Sequence, residues 1–333
     1  AGTPRPRVMV IGGTGFIGRN LTRRLVAQGH DVRVLSRGRG GPFPDLADHV
    51  ETVGVSLRDE DGLTDAMAGM DCVYNLAKST DKSWQAALEN DVATTERIGR
   101  AALRAGVGRL VHTGTIASYD MSAPRKTITE ATEFGDMETR NIYARSKAEG
   151  ERRLIAMAAE GLPLVIARPG IVLGDGGPLQ HWGIGRWHGA GAVRLWGSGG
   201  NILPFVLADD VSDGLILMMH RPEAIGQSFN LIGDAMFSGR DYFEAIRART
   251  GARLRVSGSN LTALWAADAV KQGLKRHALR KKGARAASLA DWKSRGHLSS
   301  FDNTKPKQLL GWEPEADRDA FWRRAIDEAH LFW

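Results

Sequence analysis

The sequence predicts an α/β protein: a doubly wound parallel sheet followed by a smaller, irregular C-terminal lobe. Three observations carry this. Strand-like and helix-like segments alternate through the first half, a glycine-rich turn joins the first pair, and the periodicity loosens after about Gly170.

The elements follow in order. "RVMVIGG" (7–13) is a short apolar run ending in glycines, and "GFIGRNLTRRLVAQG" has helical periodicity that stops at Gly29. "HDVRVLSR" (30–37) alternates as a strand and "VETVGV" (50–55) is the next. "DGLTDAMAGM" reads as a helix, "DCVYNLA" (71–77) as a strand, and Trp84 to Ala105 as a long helical stretch leading into "RLVHTGT" (109–115). "NIYARSKAEGE" lies in a further helix and gives way to "LPLVIARPG" (162–170). Repeated strand–helix–strand order implies parallel strands with helices on both faces. Residues 1–170 are therefore assigned to a nucleotide-binding domain of the Rossmann type and 171–333 to a substrate lobe, some of whose segments can return to the first domain. Helical segments resume at 209–220, 238–250 and 315–330.

Composition narrows the function classes. The 333 residues are 42% hydrophobic and 25% charged, ordinary for a globular chain, and no apolar run reaches the ~20 residues of a membrane span. One cysteine, Cys72, excludes an internal disulfide and a cysteine-rich metal site; it reads as a buried thiol in a strand, and no metal is expected. The opening "AGTPRPR" has neither a secretory apolar core nor an initiator Met and reads as a trimmed end; the expected compartment is cytoplasmic. Net charge is +7, with the excess concentrated in 271–296. That segment reads as a solvated helical face or a contact for an acidic substrate; without aromatic interleaving, no nucleic-acid partner is expected.

Gly12, Gly15 and Gly18 in "IGGTGFIG" stand between the first strand and the first helix. One glycine permits positive φ, another lets the backbone approach a pyrophosphate, and the last allows close helix–strand packing. The helix N-terminus, at Phe16 and Ile17, would face the phosphates with its partial positive charge. An acidic residue at the end of the second strand would bind the adenosine ribose; this chain has Ser36, Arg37 and Arg39 instead, a hydroxyl and guanidinium forks suited to a phosphate monoester. NADP is expected over NAD. Arg19 can add to that phosphate site, and Leu76 and Ala77, at the end of "DCVYNLA", are expected beside the cofactor.

Thr113 and Thr115 end the fifth strand, and Tyr143 and Lys147 share one face of the following helix. With "GGTGFIG", "YARSK", "VIARPGIVLG", "LPFVLADDV" and "FDNTKPKQLLGWEP", the chain resembles the extended short-chain dehydrogenases/reductases, the group of NAD-dependent epimerases and dehydratases. The resemblance implies roles. Tyr143 would be the general acid/base, Lys147 would favour its phenolate and hold the nicotinamide ribose, and Thr115 would orient the substrate oxygen. It also implies a homodimer through the Trp84–Ala105 and Tyr143 helices.

There are departures from the family pattern. Ser56 stands where an acidic residue is frequent, Asn75 replaces a frequent His, and Asp91 replaces the usual Asn; these are expected to alter adenine-side contacts and leave the Tyr–Lys pair untouched. Gly170 follows Pro169 where nucleotide-sugar members carry Asn, and "GSGGNILPF" lacks their diphosphate-binding arginine, for which Arg186, Arg194 or Arg295 are candidates. His181, Trp182, Trp196 and Asn201 are expected to contact substrate, although the tryptophans also suit a lobe core. The small-molecule substrate is read first as a sugar or nucleotide sugar, then as an apolar hydroxy-ketone like those of the hydroxysteroid and flavonoid branch. A non-enzymatic cofactor sensor or RNA-associated relative is a third reading, opposed by the intact Thr115–Tyr143–Lys147 set.

Overall fold

The apolar run Val8–Ile11 (β1) is buried at every position, as a strand covered on both faces must be. The computed structural model describes residues 5–36, 43–189, 191–280 and 284–331. After β1 come α1 (Phe16–Ala27), β2 (Val32–Leu35), β3 (Val50–Val53), α2 (Glu60–Met67) and β4 (Cys72–Asn75). α3 (Ala93–Ala105), β5 (Leu110–Thr113), α4 (Ile142–Ala158) and β6 (Leu164–Pro169) follow. The sheet is completed from beyond Gly170, by α5 (Ala208–His220) and β7 (Ser228–Leu231). The seven strands are parallel in the order β7-β6-β5-β4-β1-β2-β3. Chain order reverses between β1 and β4, and the crevice outside those two carboxyl ends is where such sheets take ligands.

Most sequence-derived elements stand where expected, but the stretch from Trp84 to Ala105 is not one regular helix. A turn of α-helix (Trp84–Ala87) runs into a π turn, Leu88–Val92, before α3 begins. The extra residue rotates Asp91 into the interior. Helical periodicity cannot foresee this, because a π turn leaves the sequence on either side helical.

The second lobe is built from short pairings around an aromatic core. Ile171–Leu173 pairs with Phe205–Leu207, and Ala192–Leu195 with both Gly185–Trp187 and Arg255–Ser257. Phe205, Phe237, Tyr242, Phe243, Phe321 and Trp322 pack edge-on or tilted, with ring centroids 4.2–6.3 Å apart. α6 (Gly239–Thr250) closes this core behind a capping box of Ser238 and Asp241. The expected 315–330 helix begins at Arg318, capped by Asp317, and passes into a π turn at Arg323–Asp327. Leu331 packs on the core; Phe332 and Trp333 lie outside the described residues.

Asp210 fastens the late segment to the sheet. Its backbone carbonyl accepts the Trp312 indole N–H (2.8 Å), and its carboxylate accepts the Glu315 amide (2.9 Å). Burial pushes this carboxyl up to about 6, against the pull of that amide and of Arg324. Between the ordinary carboxylate range and pH 6 the folded protein holds a proton that the unfolded chain has released, so this group's contribution falls as pH rises through that window. Asp210→Asn removes the titration. In urea unfolding the variant should gain on the wild type between pH 4 and 7 by roughly 2–3 kcal/mol; a difference independent of pH would refute this.

Candidate active site and cofactor cradle

The turn after β1 is shaped by what a side chain would strike. Gly12 has φ +81°, and a Cβ there would lie 2.7 Å from the Leu76 carbonyl carbon at the end of β4. At Gly18 a Cβ would lie 2.1 Å from the Gly12 oxygen, so α1 packs this closely on the turn only with glycine. Gly15 differs: its φ is −76°, and a Cβ would meet only the Gly12 oxygen at 3.5 Å. Nothing crowds Gly15 from the protein side, and it is the N-cap of α1. No side chain caps that end among the described residues, and no acidic residue occupies its first turn. The N–H groups of the Phe16–Ile17–Gly18 turn are therefore presented to the crevice, which suits a pyrophosphate. The residues present fit a dinucleotide.

Ser36 ends β2, its amide donating to Val53; Arg37 and Arg39 lie outside the described residues. Arg19 turns its Nε back to the Thr14 carbonyl (2.9 Å) at the rim of the turn. On the other side, Leu76 continues from β4 with its amide on the Ile11 carbonyl (2.8 Å). Ala77 donates its amide to Asn75 Oδ1 (3.1 Å). Asn75 Nδ2 in turn donates to His112 Nδ1 (3.2 Å), which places the ring proton of a neutral His112 on Nε2. Burial, with Lys147 and Arg168 adding, lowers His112 to about 3. The departure from His at position 75 thus fixes the strand end on which Leu76 and Ala77 sit.

Asn141 caps α4, its side chain accepting the Ala144 amide (3.0 Å). Tyr143 lies in the first turn and is 39% exposed. Lys147, one turn on, is buried, with its Nζ 3.3 Å from Asp91 Oδ1 and 3.4 Å from the Ala77 carbonyl. Ser146 completes the contact by donating its hydroxyl to the other Asp91 oxygen (2.9 Å). This corrects the expectation for Asp91: it touches the lysine of the Tyr–Lys pair directly, because the π turn carries it inward.

Thr115 caps the short turn Ile116–Ser118, its Oγ1 accepting the Ala117 amide (3.1 Å). The hydroxyl hydrogen has no acceptor among the described residues and is left to donate. That turn is locked to α4 by Ser118 Oγ donating to the Ala144 carbonyl (3.1 Å) and by Arg140, whose guanidinium reaches the carbonyls of Ala117, Ser118 and Tyr119. Thr115, Tyr143 and Lys147 are thereby carried on two elements bonded directly to each other.

The second lobe reaches this point through Asp291. Its carboxylate accepts Arg140 Nε (3.1 Å) and the Asn141 amide (3.0 Å), so α8 (Leu289–Ser294) abuts the cap of α4 once α7 (Leu261–His277) has been passed. Trp292, the next residue, meets Trp196 edge-on at 6.4 Å, and Trp196 stacks on Trp182 at 6.5 Å with the planes 18° apart. Trp182 is 71% exposed, while Trp187 packs on Phe243 within the lobe core. The tryptophans thus divide between a wall beside the site and a core. Arg295 lies over Trp292 at 3.9 Å, whereas Arg186 and Arg194 sit opposite each other on exposed strand positions. His181 accepts the Gly183 amide (3.0 Å) at Nδ1, and burial, with His297 and Lys78 adding, lowers it to about 4. Asn201 donates to the carbonyls of Gly296 and His297 (2.8 and 2.9 Å), which commits its amide nitrogen to holding that loop. The sequence reading overlooked Asp291 and Trp292; their only local signal was a cap pattern inside a segment dominated by positive charge.

Breaking one half of a buried ion pair leaves the other charge without compensation. Lys147→Met should lower stability by about 3 kcal/mol or more, and Asp91→Leu/Lys147→Met should lose less than the sum of the two single changes. Urea unfolding of the four proteins measures the coupling; strict additivity would show that the contact stabilises nothing.

A model of the NAD dependent epimerase/dehydratase family matches residues 8–231, which include every strand of the sheet and the site just described, apart from the segment that carries Asp291, Trp292 and Arg295. The chain is 32% identical over 171 residues to the sterol demethylase protein B of Methylococcus capsulatus, a match spanning 50% of this chain and 51% of that protein. It is 26% identical over 325 residues to the 4-hydroxy-2-methyl-3-oxo-4-farnesyl-3,4-dihydroquinoline-1-oxide ketoreductase of Stigmatella aurantiaca, covering 92% and 91% of the two chains. Among solved structures, MoeE5 in complex with UDP-glucose and NAD superposes with a TM-score of 0.71 at 20% identity, over 97% of this chain and 98% of that one. The likeness in structure is one of fold, and the family match spans two thirds of the sequence; the chain belongs to the NAD-dependent epimerase/dehydratase family.

Proposed function

We propose that the protein is an NADP-dependent reductase of a ketone, or dehydrogenase of the matching secondary alcohol, carried on an apolar ring substrate. The observation that carries this reading is the tryptophan wall. Trp182 presents an exposed ring backed by the buried Trp196, with Trp292 edge-on behind it, next to the cap of the helix that bears Tyr143, and such an aromatic face favours a flat apolar ring over a polyhydroxylated one. The two relatives, a sterol demethylase protein and a farnesyl-quinoline-oxide ketoreductase, support the same class. The nucleotide-sugar reading, placed first on sequence, becomes the second. It is favoured by Arg295, which lies over Trp292 and can meet a diphosphate.

In this mechanism Thr115 donates its free hydroxyl hydrogen to the substrate oxygen and fixes it opposite Tyr143. Tyr143 supplies a proton to that oxygen on reduction and removes it on oxidation. Lys147 stabilises the phenolate so formed, with Asp91 holding the ammonium in place. Gly12, Gly15, Gly18, Phe16 and Ile17 on one side and Leu76, Ala77 and Lys147 on the other would hold a nicotinamide cofactor, whose chemistry would be to supply or accept the hydride. Ser36, Arg37 and Arg39 are assigned to the 2′-phosphate, and α3 and α4 to a homodimer contact.

Tyr143→Phe should lower the turnover of polycyclic ketones by NADPH by ~10²–10⁴-fold while leaving NADPH affinity unchanged. Wild-type turnover of UDP- or dTDP-sugars, with no turnover of apolar ketones, would sink the proposed substrate class. Gly15→Ala should keep the unfolding free energy within about 1 kcal/mol, since its φ and surroundings admit a methyl, yet weaken NADPH binding roughly tenfold or more. Unchanged affinity, read from NADPH fluorescence, would remove the pyrophosphate from this turn.

A further inference from the structure

A surface helix ordinarily turns its apolar stripe inward and its charges outward. α7 does the reverse. Its inner side is fixed by Leu261, by Trp265 donating to the Ala287 carbonyl (3.1 Å), and by Asp268, which accepts from Trp292 (3.0 Å) and Gln272 (3.0 Å). Ala263, Ala266, Ala267, Val270 and Leu274 fall together on the opposite face, and all five are exposed. Val270 is 66% exposed and Leu274 58%, and Leu279, just past the helix end, is 63% exposed. Lys271 borders this stripe on one side, and Arg276 is exposed near the helix end.

The charge distribution is equally uneven. Residues 269–290 contain seven Lys and Arg and no Asp or Glu, which equals the formal excess of the whole chain, +7; the remaining residues are balanced. Lys271, Lys275, Arg276 and Arg280 form no ion pair among the described residues, although this chain pairs most of its other interior and helix-face arginines. An outward apolar stripe bordered by long cationic side chains fits a boundary at which apolar groups enter a hydrocarbon layer and the cations rise to anionic headgroups. Nucleic acid would use the cations and gain nothing from Val270, Leu274 and Leu279. A second protein copy would bring the same unpaired positive charge to the contact. Among the described residues no helix is long and apolar enough to cross a membrane, so the contact is one of lying on the surface.

We propose that α7, with Leu279 and Arg280 just past its end, forms an interfacial surface that docks the protein on anionic lipid bilayers. The surface adjoins the tryptophan wall, because Trp292 is bonded to Asp268 of α7, and docking there brings the site's second-lobe side next to the bilayer. The proposal stands on α7 alone and does not depend on the substrate class.

The test is co-sedimentation of the full chain with phosphatidylcholine vesicles and with vesicles of phosphatidylcholine mixed with phosphatidylglycerol. The expected result is pelleting with the anionic vesicles that weakens at high salt, and partition reduced at least ~tenfold in Val270→Asp/Leu274→Asp. Both sites are exposed, and an unchanged urea midpoint verifies that the variant folds. Lys271→Gln/Arg276→Gln should weaken binding to the anionic vesicles alone. Absence of pelleting, or equal pelleting by the Asp variant, overturns the proposal. So does sedimentation showing that the wild type self-associates through this face and the Asp variant does not. Binding to an oligonucleotide without binding to vesicles overturns it too.

Discussion

The site depends on one buried ion pair that does no chemistry. Glu151 lies one turn beyond Lys147 on α4, and both of its oxygens accept from Arg168 of β6 at 2.7–3.1 Å. Arg168 also donates to the Tyr119 hydroxyl (2.7 Å), which donates to Asn230 of β7 (3.0 Å). Burial pushes the Glu151 carboxyl up while Arg168 opposes it. The consequence is positional. α4 cannot slide or rotate on the sheet without parting this pair, and its rotation sets where Tyr143 and Lys147 point. Gly114 is drawn into the same constraint, since a Cβ there would lie 2.0 Å from Glu151 Oε1.

The inner face of α4 is therefore polar where an ordinary helix would be apolar. Ser146, Lys147 and Glu151 are all buried, the first two satisfied by Asp91 of the π turn and the third by Arg168 of β6. Such an arrangement gives up part of the hydrophobic stabilisation of a core helix and gains a fixed register for the lysine. Asp91 shows how local that trade is. The π turn, a departure from regular helix, carries a carboxylate to the buried ammonium of Lys147.

The late segments are tied to the sheet by Asp210, bonded to Trp312 and Glu315, and by Asp291, bonded to Arg140 and Asn141, while Asn201 clasps the loop at 296–297 within the second lobe. Each clasp joins segments more than eighty residues apart. The Asp291 clasp places Trp292 beside the cap of α4, although no strand of the main sheet runs into that wall.

The sequence alone determined the parallel sheet, the glycine turn and the Tyr143–Lys147 face, because each rests on short-range geometry: a two- or four-residue period, a φ that only glycine adopts freely, a strand followed at once by a helix. It could not tell which tryptophans are core and which are wall, since Trp182, Trp187 and Trp196 have much the same local composition and differ only in what folds over them. It could not tell that Asp91 meets Lys147, or that Asn201 is spent on a loop, because those partners lie 56 and 95 residues away. Nor could it tell that the basic helix presents its apolar stripe outward; the period is the same for either face, and only the elements packed against a helix decide which one is covered.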